Sequence, residues 1–246
     1  MNHKSDSPDQ VPYLDRRRAT PHIDLQGRKR AAIVLAGGES SRFGSNKALQ
    51  VLAGKSLVRR VVERVSEVTG EVVVVVGRGE PTAEYCAFLP SGVRVANDDL
   101  EGKNPLVGIV TGLSAAESDY AAVLACDIPF VNTKVIELLF RRASDADAAI
   151  PRWNCQSIEP LQAVYRRVPT LRAASETLAP ADLSLEDMIR KLGRVVYVSV
   201  EDEIANIDHG LSTFFNINTR EDMKVAERML AEKDLSFERS SVKRSQ

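Results

Sequence analysis

Histidine, cysteine and aromatic residues are all scarce in this 246-residue chain, and each scarcity removes a class of chemistry. There are three histidines. His3 and His22 stand in a polar opening stretch, and the lone His209 reads as a loop residue, not a base. No G-x-S-x-G elbow is present, and no cysteine has a histidine near it in sequence, so nothing points to nucleophilic catalysis. The three cysteines, Cys86, Cys126 and Cys155, lie far apart and form no C-x-x-C, which argues against a zinc site. Odd in number and scattered, they are expected to be buried thiols in a reducing cytoplasm. No apolar run approaches the roughly 18 residues of a membrane helix. The opening "MNHKSDSPDQVPYLDRRRATPHIDLQGRKR" has no apolar core and does not read as a signal peptide. An excess of positive charge is missing too. Lys+Arg is 33 against 34 Asp+Glu, a net charge of -1, whereas proteins that neutralise nucleic-acid phosphates are normally basic. A small-molecule ligand is therefore expected, with no nucleic acid and no membrane.

What is present is an ordinary globular composition, 43% hydrophobic and 27% charged, long enough to bury a core without staples. Residues 1–28 are polar and broken by Pro8, Pro12 and Pro21, and read as a disordered tail. Residues 232–246 read as a second flexible tail, leaving 29–231 as one domain. Within it, β-branched runs alternate with helical patterns. "AAIVLAG", "EVVVVVG", "VRVAND", "YAAVLACDIP" and "DAAIP" read as strands. "KSLVRRVVERVSEV" sets Leu57, Val58, Val61, Val62, Val65 and Val68 on one helical face. "PLVGIVTGLSAAES" reads as a helix with Pro105 at its first position, and "NTKVIELLFRRAS" as one capped by Asn132. Further on, "IEPLQAVYRR" reads as an extended segment leading into a helix ending near Leu178, and "RVVYVSVE" as a strand. "SLEDMIRKL" carries Ser184 and Asp187, and "FFNINTREDMKVAERMLAE" carries Thr219 and Asp222 behind a strand-like start, as capping-box-like helix entries. The β-α-β rhythm predicts an α/β fold in three layers, with helices on both faces of a mostly parallel sheet. Ligands in such sheets bind beyond the carboxyl ends of the strands.

The loop at the end of the first predicted strand lies there. "LAGGESSRFGSNKAL" matches neither G-x-G-x-x-G, which Glu39 and Ser40 break, nor the P-loop, since Gly44 is followed by Ser45 and its glycine pair is too widely spaced. Its pattern is L-A-G-G-x-x-x-R-x-G-x-x-K. Gly37 and Gly38 allow backbone N–H groups to approach a ligand, and Arg42 and Lys47 add a planar fork and a point charge. That set suits a triphosphate losing pyrophosphate; a plain glycine turn with solvated cations is the alternative. Two acidic points share the rim: Asp127 ending "VLACDIP", and Asp98 with Asp99 in "VANDD". Magnesium commonly takes one or two protein carboxylates and leaves room for phosphate oxygens, a role that suits Asp127; each acid is also a common turn residue. Asn216 and Asn218 in "FFNINT" would share one strand face, either completing a site or facing solvent.

Taken together, "VLAGGESSRFGSNKAL", "GKSL", "NPLVGI", "ACDIPF", "IPRWNCQSIEPLQAVYR" and "FFNINTREDM" resemble, in order and spacing, the nucleotidyltransferases of the glycosyltransferase-A-like fold, and most closely the molybdenum cofactor guanylyltransferases (the MobA family). The resemblance spans about Ala31 to Met229. It implies a Rossmann-like nucleotide-diphospho-sugar transferase (GT-A) fold and transfer of GMP from GTP to the terminal phosphate of molybdopterin, with Mg2+ and release of pyrophosphate. By motif, Leu35, Ala36, Gly37 and Gly38 would line the nucleotide site, and Arg42 and Lys47 would hold phosphates. Asp127 would bind Mg2+, Asp98 would be the second functional acid, and the turn containing Pro105, Leu106 and Gly108 would seat guanine through its backbone. The stretch bearing Arg152 and Glu159, with Asn216 and Asn218, would face the pterin phosphate. Molybdoenzymes or other cofactor-synthesis proteins would be partners. The family usually reads G-P-L-x-G, where this chain has Asn104 before Pro105, and Arg220 stands where Pro is usual. A CTP-dependent transferase, or one for another phosphorylated acceptor, is an alternative within the fold. A non-catalytic nucleotide or cofactor binder is the alternative outside it.

Overall fold

Five valines in a row, Val72 to Val76, form the strand that pairs with the central one. The computed structural model describes residues 27–37, 46–98, 104–178 and 184–243. Strand β1 (Arg30–Leu35) lies between two parallel neighbours, β4 (Glu71–Val76) and β6 (Tyr120–Ala125). Beyond β4 comes β5 (Arg94–Asn97), also parallel. Beyond β6 come β8 (Gln162–Arg166), β7 (Ala148–Arg152) and β9 (Val195–Ser199), giving the order β5-β4-β1-β6-β8-β7-β9. Only β8 runs antiparallel to its neighbours, so the sheet is mixed but parallel-dominated, as the sequence predicts. A short hairpin of β2 (Val51–Leu52) and β3 (Lys55–Ser56) stands apart.

The strict alternation of side chains along a strand divides β1 between two cores. Ala32 and Val34 face helices α1 (Leu57–Val65), α2 (Thr82–Phe88) and α4 (Thr133–Arg142), while Ala31 and Ile33 face α3 (Pro105–Ala115), α5 (Arg167–Leu178) and α6 (Leu185–Arg190). A third cluster, Leu52, Leu57, Phe130, Ile217 and Ala226, joins the hairpin to α7 (Arg220–Lys243). The α3 face is built very close to the sheet. A Cβ on Gly112 would stand 2.3 Å from Ile33 Cγ2, so only glycine lets the helix lie at this distance.

The predicted caps are present. Asn132 accepts from the Lys134 N–H, Ser184 and Asp187 form a reciprocal box, and Asp222 N–H donates to Thr219 Oγ1. Two expectations change. Cys126 is buried, its thiol pushed up to about 12 chiefly by that burial, but Cys86 and Cys155 are exposed. "FFNIN" is not a strand: residues Ser212–Phe214 form a 3-10 turn, and Ile217 is pinned by its N–H to Asp127 O at 2.9 Å. The apolar pattern there reflects burial of Ile217 in the third cluster, not sheet pairing. Helix α7 runs to Lys243, into the stretch expected to be a tail, because "EKDLSFERSSVK" holds neither Gly nor Pro to stop it. At the other boundary, the Arg28 guanidinium lies 5.0 Å above the Tyr120 ring. Helix α2 was not legible, because Gly79 and Pro81 punctuate the stretch before it. His209 lies exposed in a turn, as expected.

Candidate active site

The carboxyl ends of the parallel strands form one rim, and the loops leaving β1 and β4 touch there. The N–H groups of Ala36 and Gly37 both donate to Val75 O, at 2.7 and 3.1 Å. A Cβ on Gly37 would lie 2.7 Å from Gly77 N and 2.9 Å from Gly77 Cα, so the close approach of two backbones requires glycine at this position. The expected nest therefore spends its first two N–H groups on β4. Leu35 is half-buried and packs against Gly108 of α3. Gly38, Gly44, Arg42 and Asp99 lie outside the described residues.

The described chain resumes at Asn46, which caps a 3-10 turn over Lys47–Leu49 by accepting from Ala48 N at 3.0 Å. Lys47 then reaches across the rim. Its Nζ donates to Asp127 Oδ2 at 2.7 Å and to Asn218 Oδ1 at 2.9 Å. Lys47 and Asp127 are each about four-fifths screened from solvent, at 19% and 20% exposure, so their attraction is less damped than that of a surface pair. Three distant segments are thus brought to one point. Asp127 follows β6, whose end is tied to β1 through Cys126 N–H to Leu35 O. Asn218 is fixed by the entry of α7: Asp222 Oδ2 accepts from the N–H groups of Asn218 and Thr219, both at 2.8 Å. The Asn218 N–H bond is also the main reason the Asp222 carboxyl lies below its ordinary value. Asn216 and Asn218 are exposed and Ile217 between them is buried, so the expected alternation survives without a strand.

Asp127 has a second oxygen, and it is unanswered. Oδ1 is buried and has no hydrogen-bond partner among the described residues. A buried carboxylate oxygen left bare is costly and calls for an explanation in the site's chemistry. Among the described residues, no group of three or more His, Cys, Asp or Glu is placed to hold a metal by itself.

Asp98 occupies the rim beyond β5. Its N–H donates to Val76 O, and its Oδ1 accepts from Thr111 Oγ1 of α3 at 3.0 Å. The turn from Pro105 to Gly108 is the first turn of α3, with Pro105 at its first position. Leu106 is fully buried in the core. Its N–H is taken by Asn104 Oδ1 at 3.0 Å, and the Val107 N–H by Asn104 O at 3.0 Å. Asn104 is thus an N-cap where the family pattern has glycine.

Arg152 and Glu159 lie at the end of β7 and in the loop that follows. The Arg152 guanidinium stacks 4.6 Å from the Tyr197 ring of β9, and Glu159 Oε1 accepts from Trp153 Nε1 at 2.7 Å. Trp153 in turn packs on Phe214, with ring centroids 5.3 Å apart. Cys155, in the same loop, is exposed and its thiol lowered by the bond with Ser157. The sequence reading overlooked Thr111, the Asn46 cap and the Gln162–Thr213 bond of 2.6 Å that holds the segment before Asn216. Only Asn46, an Asn immediately ahead of a helical turn, carried a readable signal.

Comparison with known proteins agrees with this geometry. Residues 32–195 match the family described as the MobA-like NTP transferase domain. A probable molybdenum cofactor guanylyltransferase of Natronomonas pharaonis is 36% identical over 205 residues, covering 82% of this chain and 99% of that protein. A second, from Methanosarcina acetivorans, is 39% identical over 204 residues, covering 80% and 89%. Among solved structures, molybdopterin-guanine dinucleotide biosynthesis protein A from Archaeoglobus fulgidus superposes with a TM-score of 0.70 at 30% identity, covering 82% of this chain and 99% of that one. With a family match over more than half of its length and relatives this similar across most of it, the chain belongs to the MobA-like NTP transferase family.

Proposed function

We propose that the protein transfers GMP from GTP to the terminal phosphate of molybdopterin, releasing pyrophosphate. The observation that carries this reading is the convergence of Lys47, Asp127 and Asn218 beyond the carboxyl ends of β1 and β6. An oxygen of the acceptor phosphate forms a bond to the α-phosphorus of GTP while the bond to the β-phosphate bridging oxygen breaks and pyrophosphate leaves. The acceptor is already anionic, so no general base is needed, which fits a rim without histidine. What the chain must supply is alignment and cancellation of negative charge. Lys47 is the cation built for this: its ammonium, held on Asp127 and Asn218, is placed to exchange a protein oxygen for a phosphate oxygen.

Mg2+ fits Asp127. A hard cation held partly by substrate phosphates needs only one or two protein oxygens, and Asp127 Oδ1 is a carboxylate oxygen with no other partner among the described residues. Bound there, the ion would supply charge neutralisation at the phosphates. Arg42, by motif, would add a second cation, and Asp98, steadied by Thr111, a second acid. The acceptor side is assigned to Arg152, Asn216 and Asn218, with Glu159 holding the Trp153 loop in shape. Work in the cytoplasm and hand-over of the product to molybdoenzymes or other cofactor-synthesis proteins complete the reading. Among the described residues, no helix is long and apolar enough to cross a membrane.

The test is to supply purified protein with Mg2+, molybdopterin and each of GTP, CTP, ATP and UTP, and to identify the dinucleotide by mass. The guanine dinucleotide is expected. A cytosine product alone would move the protein to the CTP-dependent reading, and tight GTP binding with no product would make it a non-catalytic binder.

A further inference from the structure

Asn46 does more than cap. Its Oδ1 accepts from Ala48 N, so its Nδ2 is oriented the other way, and there it donates to Glu80 Oε2 at 2.9 Å and to Tyr85 Oη at 2.6 Å. Tyr85 Oη, in turn, donates to the same Glu80 oxygen. The three groups close a triangle in which both amide hydrogens and the phenolic hydrogen are used. Each corner is anchored elsewhere. Tyr85 is fully buried, Glu80 N–H donates to Gly77 O, and Glu80 O accepts from Asn97 Nδ2 at 3.1 Å. The triangle therefore ties the residue before Lys47 to the ends of β4 and β5 and to α2. Glu80, in the loop before α2, and Tyr85, within it, have no part in the Lys47–Asp127–Asn218 point itself, and a carboxylate this close to a residue meant for phosphate would be a poor choice if packing alone were served.

We propose that Glu80 and Tyr85 are positioning residues for Lys47: through Asn46 they fix the exit of the glycine loop, so that the ammonium is held at the Asp127–Asn218 point before nucleotide arrives. The proposal rests on the transferase reading above for what Lys47 then does. It requires that the two residues act through Lys47 and not through the stability of the fold.

A double-mutant cycle on the full chain separates the two. Tyr85→Phe and Glu80→Gln are each expected to lower kcat/KM for GTP roughly tenfold. Added to Lys47→Ala, either change is expected to cost less than about twofold. A loss that persists undiminished in the Lys47→Ala background overturns the proposal. A second readout needs no turnover: the rate at which an N-hydroxysuccinimide acetate acylates Lys47, measured by peptide mass relative to the exposed Lys134 in the same sample. That ratio is expected to rise severalfold in both variants, and an unchanged ratio overturns the proposal. Should Tyr85→Phe unfold, Glu80→Gln alone decides. If the wild type makes no dinucleotide, the transferase reading fails while the Lys47 ratio still decides this one.

Discussion

The two ends of the sheet hold acidic residues in opposite ways. At the amino end, Glu71 opens β4 and both its oxygens are occupied: Oε2 accepts from the N–H groups of Glu117 and Ser118 and, at 2.7 Å, from Ser118 Oγ, with Arg94 3.7 Å from Oε1. Asp147, just before β7, likewise accepts from the N–H groups of Gly193 and Arg194. Four of these partners are backbone N–H groups, held in place by the fold. At the carboxyl end, Asp127 has a lysine on one oxygen and, among the described residues, nothing on the other. Saturation by rigid donors makes a carboxylate part of the scaffold. Pairing with a flexible ammonium, with one oxygen in reserve, leaves it able to change partners. The difference separates structural acids from a working one more sharply than burial does.

Exchanging the roles by mutation is the strongest way to break that contrast. Asp127→Ala is expected to lower turnover by roughly 10³-fold, because it removes the charge around which the site is organised. Its thermal midpoint is expected to move little, since only one of the two lost oxygens was bonded and Lys47 can turn to solvent. Turnover in Asp127→Ala equal to that of the wild type would remove the metal and charge assignment altogether. Glu71→Ala should do the reverse. It strands several donors, with an expected loss of about 1–3 kcal/mol in denaturant unfolding. Turnover per folded molecule should stay as in the wild type.

The same asymmetry explains what could be read from the sequence. The sheet, its parallel core strands and the helices on both faces follow from hydrophobic period, which is a local property of β1, β4, α1 and α4. The Lys47–Asp127 point was legible because each residue ends an apolar strand or follows its glycine turn, and strand ends converge in this fold. Glu71 was not legible as a scaffold acid, since its donors come from residues more than forty positions away. Asn104 looked like a departure from a binding motif and is a helix cap, because capping depends on the side chain turning back on its own helix. Asn216 and Asn218 are both exposed on either side of a buried residue, but not by strand alternation: burial of Ile217 in a packed loop imitates a strand. Glu80 and Tyr85 left no trace, as their meeting with Asn46 is made only by tertiary packing.

A smaller contrast runs along α3. Gly112, toward the scaffold end, faces Ile33 Cγ2 at 2.3 Å and Val75 Cγ2 at 3.2 Å from the position of a Cβ. Gly108, toward the rim, would meet only Leu35 Cδ2 closely, at 3.1 Å, and that is the free end of a side chain. Gly112→Ala is therefore expected to destabilise by about 1–2 kcal/mol, an overpacking cost partly offset by the gain in helix propensity. Gly108→Ala should be within about 0.5 kcal/mol of the wild type, as the same gain meets a smaller clash. Equal midpoints for the two variants in urea would show that α3 can move off the sheet without cost.

The least effect is expected of Asn104→Gly, read against Asn104→Ala. The Asn104 side chain answers the Leu106 N–H, one of the helix-end donors that has no partner within the helix. Asn104→Ala leaves that donor unpaired at the start of a helix whose next residues are buried, and should cost about 1 kcal/mol. Asn104→Gly restores the family's usual residue and should cost only a few tenths of a kcal/mol, because glycine at this position lets water reach the N–H. If Asn104 serves the helix alone, the Michaelis constant for GTP should be the same in both variants and the wild type. A tightening confined to Asn104→Gly would instead mean that the freed Leu106 N–H takes up the base. The asparagine would then set how strongly this chain holds guanine, and the rim would extend one residue further along α3 than the cap alone requires.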